Sequence, residues 1–196
     1  MLEVRRADEL GESARAGICA VFVDGFGEYF GYFAKDRATM VDAFAHMLVL
    51  DLFYVATIDG RPAGIAACTD GRQLSVRHDR TVLRQRLGFV KGTVADLVFR
   101  REFQKPWATT TDGVASVEFV ATAAEYRGRG VATAVLNHLL ALPQYREYVL
   151  EDVADTNASA IALYEKLGFR ECERKKVRHT KKTGINYYVS LKLVQE

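Results

Sequence analysis

The sequence predicts one α+β (or α/β) domain built on a mixed sheet, and three observations predict it. Short runs of alternating or continuous apolar residues are interleaved with longer segments whose apolar residues recur at helical spacing. Two of the short runs are separated only by Asp59-Gly60-Arg61, a turn signal that makes them an antiparallel hairpin. Apolar residues make up 49% of the 196 and charged residues 27%, the balance of a chain with a core, and no internal repeat or Pro/Ser-rich linker divides it. Residues 1–196 are therefore expected to form a single domain.

The elements follow in order. Leu2-Glu3-Val4-Arg5-Arg6 alternates as a half-buried strand does. From Asp8 to Phe33 the residues Ala14, Ile18, Val21, Phe22, Phe26 and Phe30 keep helical spacing, interrupted at Gly25 and Gly27. Asp36–Leu50 reads as a second helix, with Met40, Phe44 and Met47 on one face. The hairpin pairs Leu52–Ile58 with Pro62–Thr69. Between Gly71 and Thr111, apolar and basic residues mix at helical spacing, which predicts two helices broken near Gly88 or Gly92. That is long for a strand-to-strand connection and marks a functional insertion. Ala115–Thr122 is strand-like, and Gly130–Leu142 is a helix that stops before Pro143. Glu147–Val153 is a strand, and Ala158–Leu167 is a helix capped by Gly168. Cys172–Arg178 and Asn186–Leu193 close the chain as a strand pair around Lys182-Thr183-Gly184.

Composition excludes several classes. Lys and Arg total 27 against 25 Asp and Glu, so a net +2 gives no general attraction to nucleic acid or anionic lipid. The basic run from Arg170 to Lys182 has no interleaved aromatic platform and reads as a solvated sheet edge. Cys19, Cys68 and Cys172 are odd in number and far apart, which argues against a disulfide framework or a zinc site and for a reducing cytoplasm. The start MLEVRRADELGES lacks a signal-peptide pattern, and no apolar stretch reaches the ~20 residues a bilayer span needs.

Chemistry concentrates in VEFVATAAEYRGRGVATA, residues 117–134. A strand ends near Thr122, and Arg127-Gly128-Arg129-Gly130 opens a helix. The first helical turn has N–H groups without internal partners and a partial positive charge, so phosphate oxygens fit there. Gly128 and Gly130 allow close approach, and Arg127 and Arg129 add forked cationic donors. The same residues also suit a plain tight turn. A dinucleotide site is a further reading, because Glu151 and Asp152 follow ~20 residues on, where a ribose-binding acid would stand. Too little chain follows to complete a doubly wound sheet.

Arg127-Gly128-Arg129-Gly130-Val131-Ala132 resembles the pyrophosphate signature [Q/R]-x-x-G-x-[G/A] of the GNAT superfamily of acyl-CoA N-acyltransferases. Asn157 to Phe169, NASAIALYEKLGF, is similar to that family's second block, N-x-x-A-x-x-L-Y-x-K-x-G-F, at the expected distance downstream. The resemblance is specific over Val114–Phe169 and architectural before it. It implies a central, mostly antiparallel twisted sheet flanked by helices, with the helical insertion of residues 71–111 between the third and fourth strands. That insertion departs from the family core.

The resemblance also implies roles. The strands Val117–Thr122 and Tyr148–Val153 splay, and the pantetheine arm of acetyl-CoA pairs with the backbone of Val120, Ala121 and Thr122. The turn Arg127, Gly128, Arg129 and Gly130 and the first helical residues Val131, Ala132 and Thr133 hold the pyrophosphate. Asn157 bonds the cofactor arm; its other reading is a simple helix N-cap. Tyr164 faces the thioester sulfur and donates a proton to the departing thiolate, or else it is an aromatic filler.

Among the residues themselves, Glu118 is the only carboxylate in its otherwise apolar strand. It is the candidate base, with a pKa expected to rise there, and Glu151 and Asp152 stand in reserve. Strand alternation places Glu118 on the face of Val120 and Thr122; alternatively it points to solvent or pairs with a basic residue of the insertion. The expected function is an N-acetyltransferase that moves an acetyl group from acetyl-CoA to a primary amine, small-molecule or peptide, by direct attack in a ternary complex. The alternative is a non-catalytic CoA-binding sensor or interaction module. An aromatic wall of Phe22, Phe26, Tyr29, Phe30, Tyr32 and Phe33, with Phe89, Phe99, Phe103 and Trp107 from the insertion, suits either core packing or a bulky acceptor. The exposed final strands leave room for a homodimer.

Overall fold

A computed structural model describes residues 1–103, 112–178, 180 and 184–195. Trp107, Thr111, Lys182 and Thr183 of the sequence reading lie outside the described residues, as does the side chain of Phe103. Seven strands form one sheet in the order β1-β2-β3-β4-β5-β7-β6. They are β1 (Leu2–Arg6), β2 (Phe53–Ile58), β3 (Arg61–Thr69), β4 (Val114–Thr122), β5 (Glu147–Ala154), β6 (Arg170–Lys176) and β7 (Tyr187–Val194). All neighbours are antiparallel except β4 and β5, which run parallel. No helix among the described residues is long and apolar enough to cross a membrane.

Helices cover both faces. On one face, α1 (Arg15–Phe26) crosses β3 and β4, joined by α2 (Arg37–Phe44), α3 (Arg80–Leu87) and α4 (Phe89–Phe103). Its core holds Phe22, Phe30, Phe44, Phe53 and Phe99. On the other, Val131, Val135, Leu136 and Leu139 of α5 (Val131–Leu140) pack with Tyr148 and Leu150 of β5 and with Tyr164 of α6 (Ala158–Lys166). Their spacing on α5 is the i, i+4, i+5, i+8 stripe of a helix with one buried face.

The helix predicted over Asp8–Phe33 is shorter. Only Arg15–Phe26 is α-helical, flanked by 3-10 turns at Glu12–Ala14 and Gly27–Phe30. The helix predicted over Asp36–Leu50 ends at Phe44 after starting from an Asp36 cap, whose side chain accepts from the Thr39 N–H. It stops because the backbone beyond is used elsewhere. The Met47 carbonyl accepts from the Arg77 N–H, and the Val49 N–H donates to Ser75. Residues 47–49 and 75–77 thus pair as a short ribbon centred on the Leu48–Val76 bridge.

The insertion is a helical hairpin broken at Gly88, whose φ of +82° is left-handed and favours glycine. Gly92 lets α4 lie directly on the Arg84 backbone. Asp79 caps α3 by accepting from the N–H groups of Thr81 and Val82. A buried His78–Asp96 contact of 2.9 Å ties the connector to α4. The last strand pair is shifted from the reading by one or two residues, and β6 is exposed along its whole length.

Candidate functional site

β4 and β5 pair over three positions only: Val114 with Glu147, Ala115 with Tyr148 and Ser116 with Val149. Beyond Ser116 the edge of β4 that faced β5 has no strand partner among the described residues, and the gap opens into a cavity of about 1000 Å³. Val117, Glu118, Val120, Val149, Glu151, Asn157 and Tyr164 all line it.

A bulge sets the direction of each β4 side chain. Ala67 of β3 faces Glu118 and Ile65 faces Ala121, so two β4 residues oppose one on β3. The extra residue, Phe119, has φ +51°. Its ring packs against Phe22, Phe26 and Phe53 on the α1 face. Paired strand residues share a face, so Glu118 lies with Ala67 on that same side. Val120 instead packs with the α5-side core. The expectation that Glu118 and Val120 share a face is therefore corrected: uninterrupted alternation would have put them together, and the bulge reverses the count between them.

Glu118 accepts a hydrogen bond from the Ser75 hydroxyl, and Ser75 is only 3% exposed. Ser75, near the start of the insertion, is thus one of the groups that Glu118 meets. Sequence reasoning passed over Ser75, because a lone serine between Leu74 and Val76 carries no motif. The ribbon of residues 47–49 and 75–77 is what carries it over β4.

Tyr164 is 5% exposed and packs beside Phe169. Burial pushes its phenol up to about 12, so it remains protonated throughout the neutral range. Asn157 caps α6 by accepting from the Ala160 N–H at 3.3 Å and from the Ser159 hydroxyl at 3.2 Å. Its capping role is thus present in the structure while its side chain also lines the cavity.

The glycine turn lies at the start of α5. Gly128 and Gly130 have φ +74° and +76°, and a Cβ at either would meet nothing within 4 Å. The space outside the turn is open, and no side chain among the described residues caps the helix. Arg127 donates to the Asp24 carbonyl, and the Arg129 guanidinium lies 5.6 Å from the Tyr126 ring centre; both arginines are exposed. Gly64 of β3 seats this helix, because a Cβ there would strike the Val131 side chain. Uncapped N–H groups, two cations and an open approach fit a diphosphate, and the open β4 edge fits an extended polar arm. The predicted site residues thus divide between the turn and the cavity, joined along β4.

Of the aromatic wall, Phe22, Phe30, Phe33 and Phe99 are core. Phe26, Tyr29 and Phe30 reach the cavity, while Tyr32 and Phe89 are exposed. Cys19 and Cys68 are buried thiols pushed up to about 12 by desolvation, which makes them packing groups rather than nucleophiles.

A family model described as "Acetyltransferase (GNAT) family" matches residues 21–169. No curated protein sequence matches the chain. Solved structures of the same fold include a GCN5-related N-acetyltransferase from Kribbella flavida, at 20% identity and TM-score 0.61 over 98% of this chain and 97% of that one. An N-acetyltransferase from Staphylococcus aureus Mu50 is 20% identical with TM-score 0.59, over 97% of this chain and 100% of that one. The ribosomal-protein-S18-alanine N-acetyltransferase from Escherichia coli is 17% identical with TM-score 0.58, over 100% and 96%.

Proposed function

Because the chain belongs to the GNAT acetyltransferase family, we propose that it moves an acetyl group from acetyl-CoA to a primary amine by direct attack in a ternary complex. The observation that carries this reading is the gap between β4 and β5, with an unpaired strand edge on one wall and a buried tyrosine on the other. When bound, acetyl-CoA supplies the acetyl group as a thioester activated toward amines.

The chain's own groups then divide the work. The N–H groups of Val131, Ala132 and Thr133, with Arg127 and Arg129, hold the diphosphate. The free main-chain groups of Val120, Ala121 and Thr122 on the β5 side take the pantetheine arm as an added strand. Tyr164 keeps its proton on Oη and gives it to the departing sulfur. An alkylammonium has a pKa of about 10.4, so the acceptor must lose a proton before attack. Glu118 is the base, held in orientation by the Ser75 hydroxyl. The bulge places this carboxylate on the α1 face and the Val120 wall on the α5 face. Acceptor and cofactor thereby enter from opposite sides of the sheet and meet at the gap.

Release of free CoA thiol from acetyl-CoA, followed with a panel of primary amines, tests the reading. Amine-dependent release is expected. Tight CoA binding with no release on any amine would instead mark a binding module.

A further inference from the structure

The ribbon that carries Ser75 to β4 does not end on main-chain bonds. Its rungs run from the Val49 N–H to the Ser75 carbonyl at 3.0 Å and from the Arg77 N–H to the Met47 carbonyl at 2.8 Å. The next rung is made by a side chain: the Asp79 N–H donates to Nε2 of His46 at 3.0 Å. Asp79 is where α3 begins, and its own carboxylate accepts from the N–H groups of Thr81 and Val82. One imidazole thus fastens the start of the helical insertion to the 3-10 turn Ala45–Met47 that follows α2.

This bond fixes the state of the ring. A nitrogen that accepts from an N–H carries no proton, so neutral His46 holds its proton on Nδ1. That atom is buried; it senses the Ala43 carbonyl but makes no hydrogen bond of proper geometry to any described group.

The groups that face the ring come from four elements. Burial is the largest influence on it and lowers its pKa from the ordinary 6.5. The Ala43 carbonyl of α2 and the Asp79 carboxylate of the α3 cap oppose that, while His78 of the connector and Arg15 of α1 reinforce it. Arg15 also donates to the Ala45 and Leu48 carbonyls on either side of His46 in the chain, with Glu12 as its ion partner. His78 is engaged with Asp96. The imidazole is therefore neutral at pH 7 and takes a proton only in more acidic solution.

We propose that His46 is a proton-operated latch on the insertion: neutral, it holds the connector; protonated, it releases it. A proton from solvent adds to Nε2, and the atom that accepted from the Asp79 N–H becomes a donor facing a donor. The rung breaks. The imidazolium then competes for the Asp79 carboxylate, which α3 uses as its cap. What loosens is a wall of the gap, because Gln73, Leu74, Ser75 and Val76 line it and Ser75 meets Glu118. The folded pKa lies below the unfolded one, so the stability that the latch supplies is present above pH 6.5 and is lost as pH falls through the folded value. The latch belongs to the fold of the insertion and does not depend on which reaction the gap performs.

Amide hydrogen exchange followed by NMR tests this without any turnover. Protection factors at Asp79, Thr81 and Val82 are compared between about pH 7.5 and about pH 5, alongside the titration of the His46 ring. The parent protein is expected to lose about tenfold in protection at these amides as the ring titrates, while amides of α5 change little. His46→Gln offers an acceptor in place of Nε2 but takes up no proton, and is expected to keep its protection across the range. His46→Leu removes the acceptor and is expected to show low protection at every pH. A His46→Gln variant that loses protection with the pH dependence of the parent overturns the proposal. So does a parent whose ring titrates with no change at Asp79, or whose ring stays neutral to the acid end of the range. Those last two outcomes are read in the parent protein alone, so they decide the matter whether or not the variants fold.

Discussion

Tyr164 and Gly130 test the proposed site in two different ways. Burial holds the Tyr164 proton, with the pKa pushed up to about 12, so the hydroxyl keeps its proton throughout the neutral range. Tyr164→Phe removes only that oxygen, and the ring keeps its place beside Phe169. Turnover is expected to fall about 100-fold while acetyl-CoA affinity stays within about twofold, measured by steady-state kinetics and calorimetry. Undiminished turnover would leave Tyr164 with a packing role alone. Gly130 sits at φ +76° at the mouth of α5. Gly130→Asp adds left-handed strain of about 1–2 kcal/mol and a negative charge where phosphates are to bind. CoA affinity is expected to drop at least about 100-fold; a variant that binds normally would place the phosphates elsewhere. The glycine turn and the tyrosine block could both be read in the sequence, because each is a contiguous run with a local geometric meaning. Ser75 could not, because its value comes from a strand more than forty residues away.

The elements position these residues through a few close contacts. Gly64 allows α5 to approach β3 at Val131, so it sets the height of the glycine turn above the sheet. Gly64→Ala places a methyl group against that side chain, and overpacking of this kind costs about 1–3 kcal/mol. A lower melting temperature and weaker CoA binding are expected together. Lower stability with unaltered affinity would mean that the helix relaxes without disturbing the turn. The strands were legible to within a residue or two because their apolar runs are dense and turn-bounded. The first two helices were not, since helical spacing alone does not reveal that residues 47–49 are claimed by the connector. The bulges at Phe119 and Asp152 were also hidden, as a phenylalanine gives no sign of a positive φ and an aspartate, though enriched there, adopts it in only a minority of cases.

Across the whole molecule, several buried acids share one direction of shift. Cys19, Cys68, Tyr148 and Tyr164 are each pushed up to about 12, chiefly by desolvation, from ordinary values of 9.0 for the thiols and 10.0 for the phenols. The folded state therefore binds these protons more tightly than the unfolded chain does. That contribution is complete below pH 9 and is lost as pH rises toward about 12. Chemical-denaturation midpoints are expected to be insensitive to these groups from pH 7 to about 9 and to fall steeply above it. A flat profile through pH 11 would mean that water reaches the buried thiols and phenols more freely than their packing implies. Charge is also divided across the sheet. Arg127 and Arg129 stand by the α5 turn, while Glu118, Glu147, Glu151 and Asp152 are among the described residues that line the gap between β4 and β5.

The sequence by itself determined the alternation of strands and helices, the tight turn that leads into α5 and the two blocks that carry the family's pattern. Those are local properties, written in periodicity, glycine placement and capping. Only the tertiary structure decided which way Glu118 points, that Ser75 meets it, and that β4 and β5 separate after three pairs. A bulge and a splay depend on what each strand packs against, and residues distant in the chain supply that packing.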